Sequence, residues 1–222
     1  WYRRHGRDGR ICIMDYHDYF GSIRHDVLLD MYSKLPMDEK LFSLVSYFID
    51  CFEGDTGLGL GSEISQISAV YYVNPIDHLI KDRYGFHCYG RYMDDSYIIG
   101  GKDDISSAMA EMKPILAHLG ISMNDRVSAT VPLTQGFHYL KKRIFVTGSG
   151  KVVIRLERDN IRRARKRIAD NAALLAVGET SRDSEEASWG SWKSYASKYD
   201  SYRTVKSLDE YRGNLLDSIC KH

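Results

Sequence analysis

Three aspartates stand out by residue type and position: Asp15, Asp94 and Asp95. Asp15 follows the apolar run Ile11-Cys12-Ile13-Met14, which reads as a buried strand behind the basic stretch Arg3 to Arg10. Asp94 and Asp95 lie between two β-rich runs, Phe86 to Tyr92 and Ser96 to Ile99, a hairpin pattern with acids at its tip. Acids at strand ends and hairpin tips converge on one edge of a sheet, whereas acids buried in mid-strand would be unpaired and costly. Three converging carboxylates cannot all stay ionised without a cation, and their hard oxygen donors suit Mg²⁺. Two such ions about 3.5–4 Å apart hold both the attacking and the leaving oxygen of a phosphoryl transfer. Taken alone, an Asp-Asp pair reads as turn chemistry. The flanking residues reverse that reading.

The rest of the chain must position these acids. Asp38 is expected to cap a helix running to Phe52, because Leu41, Leu44, Val45, Phe48 and Phe52 recur at helical spacing. A glycine-spaced turn, Gly57-Leu58-Gly59-Leu60-Gly61, feeds a helix that starts near Ser62 and is kinked or ended by Pro75. Asp104 is expected to cap a helix toward Leu119, with Gly120 as its stop. Strands are expected at Phe137 to Val146 and Lys151 to Leu156, and the pattern is helical from Glu157 onward. This order predicts an α+β layer fold, an antiparallel sheet backed by helices, with a separate helical subdomain from about residue 155.

Composition is that of an ordinary globular chain of 222 residues, 43% hydrophobic and 27% charged, which argues against a disordered tail or a fibrous repeat. Lys+Arg total 31 against Asp+Glu 30, so net charge alone names no polyanionic partner. Cys12, Cys51, Cys88 and Cys220 form no CxxC pair and are read as reduced thiols of a cytoplasmic protein, with neither a zinc site nor a disulfide framework. No apolar run approaches the roughly 20 residues of a membrane span, and no signal peptide is read. Because residue 1 is Trp, the natural chain is expected to begin upstream.

Arg91-Tyr92-Met93-Asp94-Asp95 and Asp15-Tyr16-His17-Asp18-Tyr19-Phe20 together resemble motifs C and A of reverse transcriptases. Gly57 to Gln66 resembles motif B, Leu119 to Asn124 motif D, and Gly136-Phe137-His138-Tyr139-Leu140 the primer grip, all in the family's order. The motif B residues Gly59-Leu60-Gly61 and Ser65-Gln66 differ from the Pro-Gln-Gly and Ser-Pro of intron-encoded enzymes. They look more like diversity-generating retroelement enzymes and related bacterial or phage reverse transcriptases. The resemblance implies a polymerase palm over residues 1–154, with the fingers largely missing, and an α-helical thumb over 155–222. It implies RNA-directed DNA synthesis, in which a primer 3′-hydroxyl attacks the α-phosphate of a deoxynucleotide. Asp15, Asp94 and Asp95 match the catalytic, metal-binding acids, and the Tyr16 carbonyl would also face a metal. Phe20 matches the aromatic gate under the sugar, and Gly61 and Gln66 would lie near the incoming nucleotide. His138, Tyr139 and Leu140 match the primer grip. The implied partners are two Mg²⁺ ions (Mn²⁺ as an alternative), deoxynucleotide triphosphates, an RNA template, a DNA or RNA primer, and room for an accessory protein, with no membrane. Motif D often carries a Lys as general acid; Arg126 is the nearest candidate here, and a guanidinium is a poor proton donor.

Arg155, Arg158, Arg162, Arg163, Arg165, Lys166 and Arg167 give seven cations against two acids between residues 155 and 168. Beside a polymerase palm this run is expected to contact nucleic-acid backbone, since an A-like hybrid is held mainly by shape and phosphate contacts. Trp189, Trp192, Tyr195, Tyr199 and Tyr202 fall on one helical face and read as core. Only fourteen residues precede Asp15, so the basic fingers that grip a triphosphate are expected to be missing, and Arg3, Arg4, Arg7 and Arg10 do not replace them. Two rival readings remain open: a catalytically silent module of the same fold that binds nucleic acid or a partner, and another two-metal palm enzyme such as a nucleotide cyclase.

Overall fold

The computed structural model describes residues 8–219, so Arg3, Arg4, Arg7 and Cys220 lie outside the described residues. The chain divides into two compact units between Leu133 and Thr134. It is mixed α+β with antiparallel sheets. Among the described residues no helix is long and apolar enough to cross a membrane.

The first unit is built on a four-stranded sheet of order β2-β3-β1-β4, with β1 Arg10–Met14, β2 Cys88–Tyr92, β3 Asp95–Gly100 and β4 Ala129–Pro132. All its pairings are antiparallel. Helices α1 Tyr19–Ser22, α2 His25–Ser33, α3 Glu39–Asp50, α4 Glu63–Tyr72, α5 Asn74–His78 and α6 Lys102–His118 complete it, with a π-helical turn at Leu79–Arg83. Its core joins the sheet face (Cys12, Met14, Ile98) to helical residues such as Leu28, Tyr72, Ile76, Ile105 and Met112.

Several expectations hold and several are corrected. Asp38 caps α3 by accepting from the Leu41 amide at 2.8 Å. Its apolar stripe is only partly used, however. Val45 and Phe52 pack on the core and Ile49 is buried, while Leu41, Leu44 and Phe48 stay exposed because α3 turns its Ile49 side to the unit. Pro75 ends α4 and starts α5, as its missing amide requires. Gly120 takes the left-handed conformation after α6, but Gly101 rather than Asp104 precedes that helix, leaving Asp104 inside its first turn. Helix α2 and strand β4 escape the sequence patterns. The first lacks a side-chain cap, and the second is an edge strand of four residues ending in proline.

The second unit holds a separate antiparallel sheet of order β5-β6-β7, with β5 Phe137–Tyr139, β6 Lys142–Val146 and β7 Val152–Leu156. Helices α7 Arg158–Ala176, α8 Arg182–Ala196 and α9 Tyr202–Ile219 follow. Residues 134–154, grouped with the palm by sequence, therefore share a compact unit with the C-terminal helices. The physical reason is Leu156, which is buried in one cluster with Ala164, Ile168, Trp189 and Trp192. The aromatic stripe also breaks. Trp189 and Trp192 are core and Tyr195 and Tyr199 pack beside them, but α8 stops at Ala196, and Tyr202 opens the next helix 79% exposed.

Candidate functional site

The register of the first sheet brings the acids together. β1 pairs with β3 up to Met14 opposite Ser96, so Asp15 and Asp95 are the residues next to that last pair, close enough for the Asp15 charge to act on Asp95. β2 pairs with β3 through Tyr92 opposite Asp95, which leaves Met93 and Asp94 as a two-residue turn. Met93 occupies the left-handed region at φ 56°, a conformation a non-glycine residue keeps only when its surroundings impose it. All three acids are half-buried.

Asp15 is held from three directions. The Asn124 side chain donates to Asp15 Oδ2 at 2.8 Å, the Asn124 amide donates to the Asp15 carbonyl at 2.8 Å, and the Asp15 amide donates to Ser128 Oγ at 3.2 Å. Asn124 falls within the stretch that resembles motif D, but its contact to Asp15 spans 109 positions of chain, which no spacing rule reaches. Burial raises the Asp95 carboxyl above the usual carboxylate range, and the charges of Asp94 and Asp15 push it further. This crowding of like charges is the electrostatic condition that a divalent cation relieves. Among the described residues no three His, Cys, Asp or Glu side chains are gathered as a ready-made metal cage. Mg²⁺ is typically held by one or two carboxylates together with water and substrate phosphates. In donor type, though not in a preassembled cage, the carboxylate oxygens of Asp15, Asp94 and Asp95 suit such an ion, and these are the residues that would hold it.

The Asp95 shift yields a stability prediction. A carboxyl raised on folding contributes stability that is complete below the unfolded value of about 3.9 and is lost as pH rises through the folded value. Asp95→Asn should thus melt higher than wild type at pH 7 in the presence of a chelator. That gain should vanish near pH 3, where both side chains are neutral; thermal unfolding at the two pH values checks it.

Tyr16 is buried, its backbone bridged to Met123. Burial pushes its phenol up to about 12, against the lowering effect of the Arg91 charge. The Tyr16 and Ser96 hydroxyls lie near each other, neither with a hydrogen-bond partner within normal reach among the described residues. Phe20 sits in α1, half-buried against the core and edge-on to Tyr19 with ring centroids 5.8 Å apart. Gly61 is exposed at φ 96°, a conformation that favours glycine, just before Ser62 and α4. Gln66 is exposed on α4 and lines a cleft of about 470 Å³ that also touches Met93 and Arg91.

In the second unit, His138 Nδ1 lies 2.9 Å from Glu157 Oε1. Tyr139 ends β5, and Leu140 and Lys141 form the two-residue turn to β6, both with positive φ. The basic run does not form one stripe. Arg165 stacks on the Tyr211 ring at 4.2 Å, Arg162 pairs with Asp159 at 3.4 Å, Arg163 Nε donates to the Asp159 carbonyl at 3.4 Å, and Arg167 borders a small cavity beside Trp189. Lys166 is exposed. Only Arg155 and Arg158 of the seven line the groove of about 1160 Å³ in this unit, where Arg143 and Arg203 join them. Arg143 and Arg203 lie outside the basic run, and charge counting along the chain passes over them.

No family model and no curated protein matches the chain. A solved structure of telomerase from Candida albicans, in complex with a TWJ fragment of telomeric RNA, is similar in fold with a TM-score of 0.56 at 10% identity. The match covers 95% of this chain and 42% of that one, so the chain spans less than half the length of this neighbour.

Proposed function

We propose that this chain carries the catalytic part of an RNA-directed DNA polymerase of the bacterial or phage type, acting in the cytoplasm with reduced thiols. The observation that carries the reading is the strand register, which ends with Met14 opposite Ser96 and so leaves Asp15 and Asp95 next to that last pair, with Asp94 in the adjoining turn. The likeness in fold to a telomerase supports it. In this reading the first unit acts as palm and the C-terminal helices as thumb. Asp15, Asp94 and Asp95 hold the reacting phosphate's counter-charge in place. When bound, Mg²⁺ (two ions, or Mn²⁺) would supply charge stabilisation to the phosphoryl transfer. Phe20 sits under the sugar of the incoming deoxynucleotide, with Gly61 and Gln66 beside it. His138, Tyr139 and Leu140 support the primer end.

The test is extension of a labelled primer on an RNA template with deoxynucleotide triphosphates, compared with a DNA template and with no template. RNA-templated extension is expected. Tight binding of primer–template without extension would instead leave a silent nucleic-acid-binding module of the same fold.

The groove in the second unit gives a further expectation about backbone contact. Replacing Arg155 and Arg158 together with Gln should lower the slope of log affinity against log salt by about two units if both touch phosphates. The Arg162 and Arg163 pair should change it less, because Asp159 already engages both side chains. Equal effects from the two pairs would show that the groove is not the preferred path.

A further inference from the structure

We infer that Arg91 and Asp77 form a clamp whose work is to fix the turn carrying Asp94, which makes both of them positioning residues for the acid cluster. The inference rests on the proposed role of Asp94 and Asp95. Arg91 is the residue before Tyr92 in β2, and its side chain is only 10% exposed. Its Nε donates to Asp77 Oδ1 at 2.9 Å and its Nη2 to Asp77 Oδ2 at 2.5 Å, the two-pronged geometry a guanidinium is shaped for. Nη2 also donates to the Val70 carbonyl at 2.8 Å and Nη1 to the Met93 carbonyl at 3.3 Å. One planar group thus ties α4, α5 and the hairpin turn together. Asp77 is held in turn by the Tyr89 hydroxyl.

Two features separate this arrangement from an ordinary buried ion pair. Met93 lines both the 470 Å³ cleft and a neighbouring cleft of about 540 Å³, and as the first of the two turn residues it stands at φ 56°. Beyond the strand pairing that closes the turn, the bond from Arg91 is a side-chain restraint on that strained residue, directly before Asp94. The second feature is charge. Burial alone would weaken the proton on Arg91, yet the hydrogen bonds and charge of Asp77 keep it firmly cationic and neutralised in place. Without Asp77 the guanidinium would be free to swing onto the neighbouring carboxylates and occupy the position of a cation. A buried ion pair is often replaceable by neutral residues with little loss of stability, so fold stability alone does not account for the clamp.

The experiment compares wild type with the neutral pair Arg91→Met/Asp77→Asn, which keeps an acceptor for Tyr89, and with Arg91→Lys, which keeps the charge but not the three-way reach. Amide exchange across residues 92–96 is read by mass spectrometry, Mn²⁺ binding by paramagnetic resonance titration, and fold by thermal unfolding. Both variants are expected to melt near wild type while the amides of the turn exchange about 10-fold faster or more. Mn²⁺ affinity should fall about 10- to 100-fold, the usual scale for losing a group that orients a ligand. Wild-type protection of the turn in both variants would overturn the clamp, as would faster exchange spread evenly over the whole unit with a matching loss of melting temperature. If wild type itself binds no Mn²⁺, the metal reading of the acids falls, and the exchange data still decide the clamp.

Discussion

Asp15→Asn or Asp95→Asn is expected to cut primer extension by at least about 10³-fold, or roughly 4 kcal/mol of transition-state stabilisation, while primer–template binding stays nearly unchanged. The size follows from charge. Amide and carboxylate have the same shape, but only the carboxylate offsets the positive charge gathered at a phosphoryl-transfer centre. The structure makes Asp15→Asn a clean experiment. The contact from Asn124 reaches a single oxygen of Asp15, and an amide oxygen accepts that bond equally well. The remaining contacts to Asn124 and Ser128 run through the Asp15 backbone and are untouched. Local collapse is therefore not an alternative cause. At Asp95 the separation is sharper, because the substitution removes an acid already disfavoured by its neighbours and should stabilise the unit while silencing it. Extension rate, binding titration and melting curve on one preparation check all three. Retained extension would remove these acids from the chemistry.

How far the site could be read from the sequence depends on the range of each interaction. The strand before Asp15 and the hairpin around Asp94 are written in local apolar runs, so the acids could be placed at strand ends without any tertiary information. The Asp38 cap and the Pro75 break are equally local. What holds the acids is not. Asn124 reaches Asp15 across 109 positions, and Arg91 reaches Asp77 across 14, through a side-chain fork that no periodicity encodes. In the sequence Arg91 stands out only as part of a motif, and Asp77 carries no signal at all. The grouping of β5, β6 and β7 with the C-terminal helices likewise turns on one buried contact cluster around Leu156, whereas composition changes only where the basic run begins. Charge counting found the basic run but not the groove, because a helix distributes consecutive cations around its circumference. Two of the groove's arginines come from β6 and α9 instead.

Phe20→Val or Phe20→Ala should raise ribonucleotide use relative to deoxyribonucleotide use by about 10- to 100-fold, the range a hydrophobic wall commonly controls through a few carbon atoms. On the proposed reading the ring is the wall that a 2′-hydroxyl would strike, and a wall discriminates only if it cannot move. Three contacts hold it. The Phe20 carbonyl accepts from the Leu58 amide at 3.0 Å, tying α1 to the glycine-spaced turn. Tyr19 lies edge-on to the ring, and its own hydroxyl donates to the Ala69 carbonyl on α4. Burial raises the Tyr19 phenol, so it remains a neutral donor and the anchor persists across the working pH range. Truncating Phe20 leaves the Leu58 and Tyr19–Ala69 hydrogen bonds in place and removes the ring together with its edge contact to Tyr19. The quantity to measure is the ratio of kcat/KM for a deoxynucleotide to that for the matching ribonucleotide, since discrimination is a difference in transition-state binding. Val should give the smaller change and Ala the larger, because the wall recedes further. Loss of activity for both nucleotides in proportion, with a lowered melting temperature, would return Phe20 to the core against which it packs, and an unchanged ratio at full activity would move the sugar pocket elsewhere.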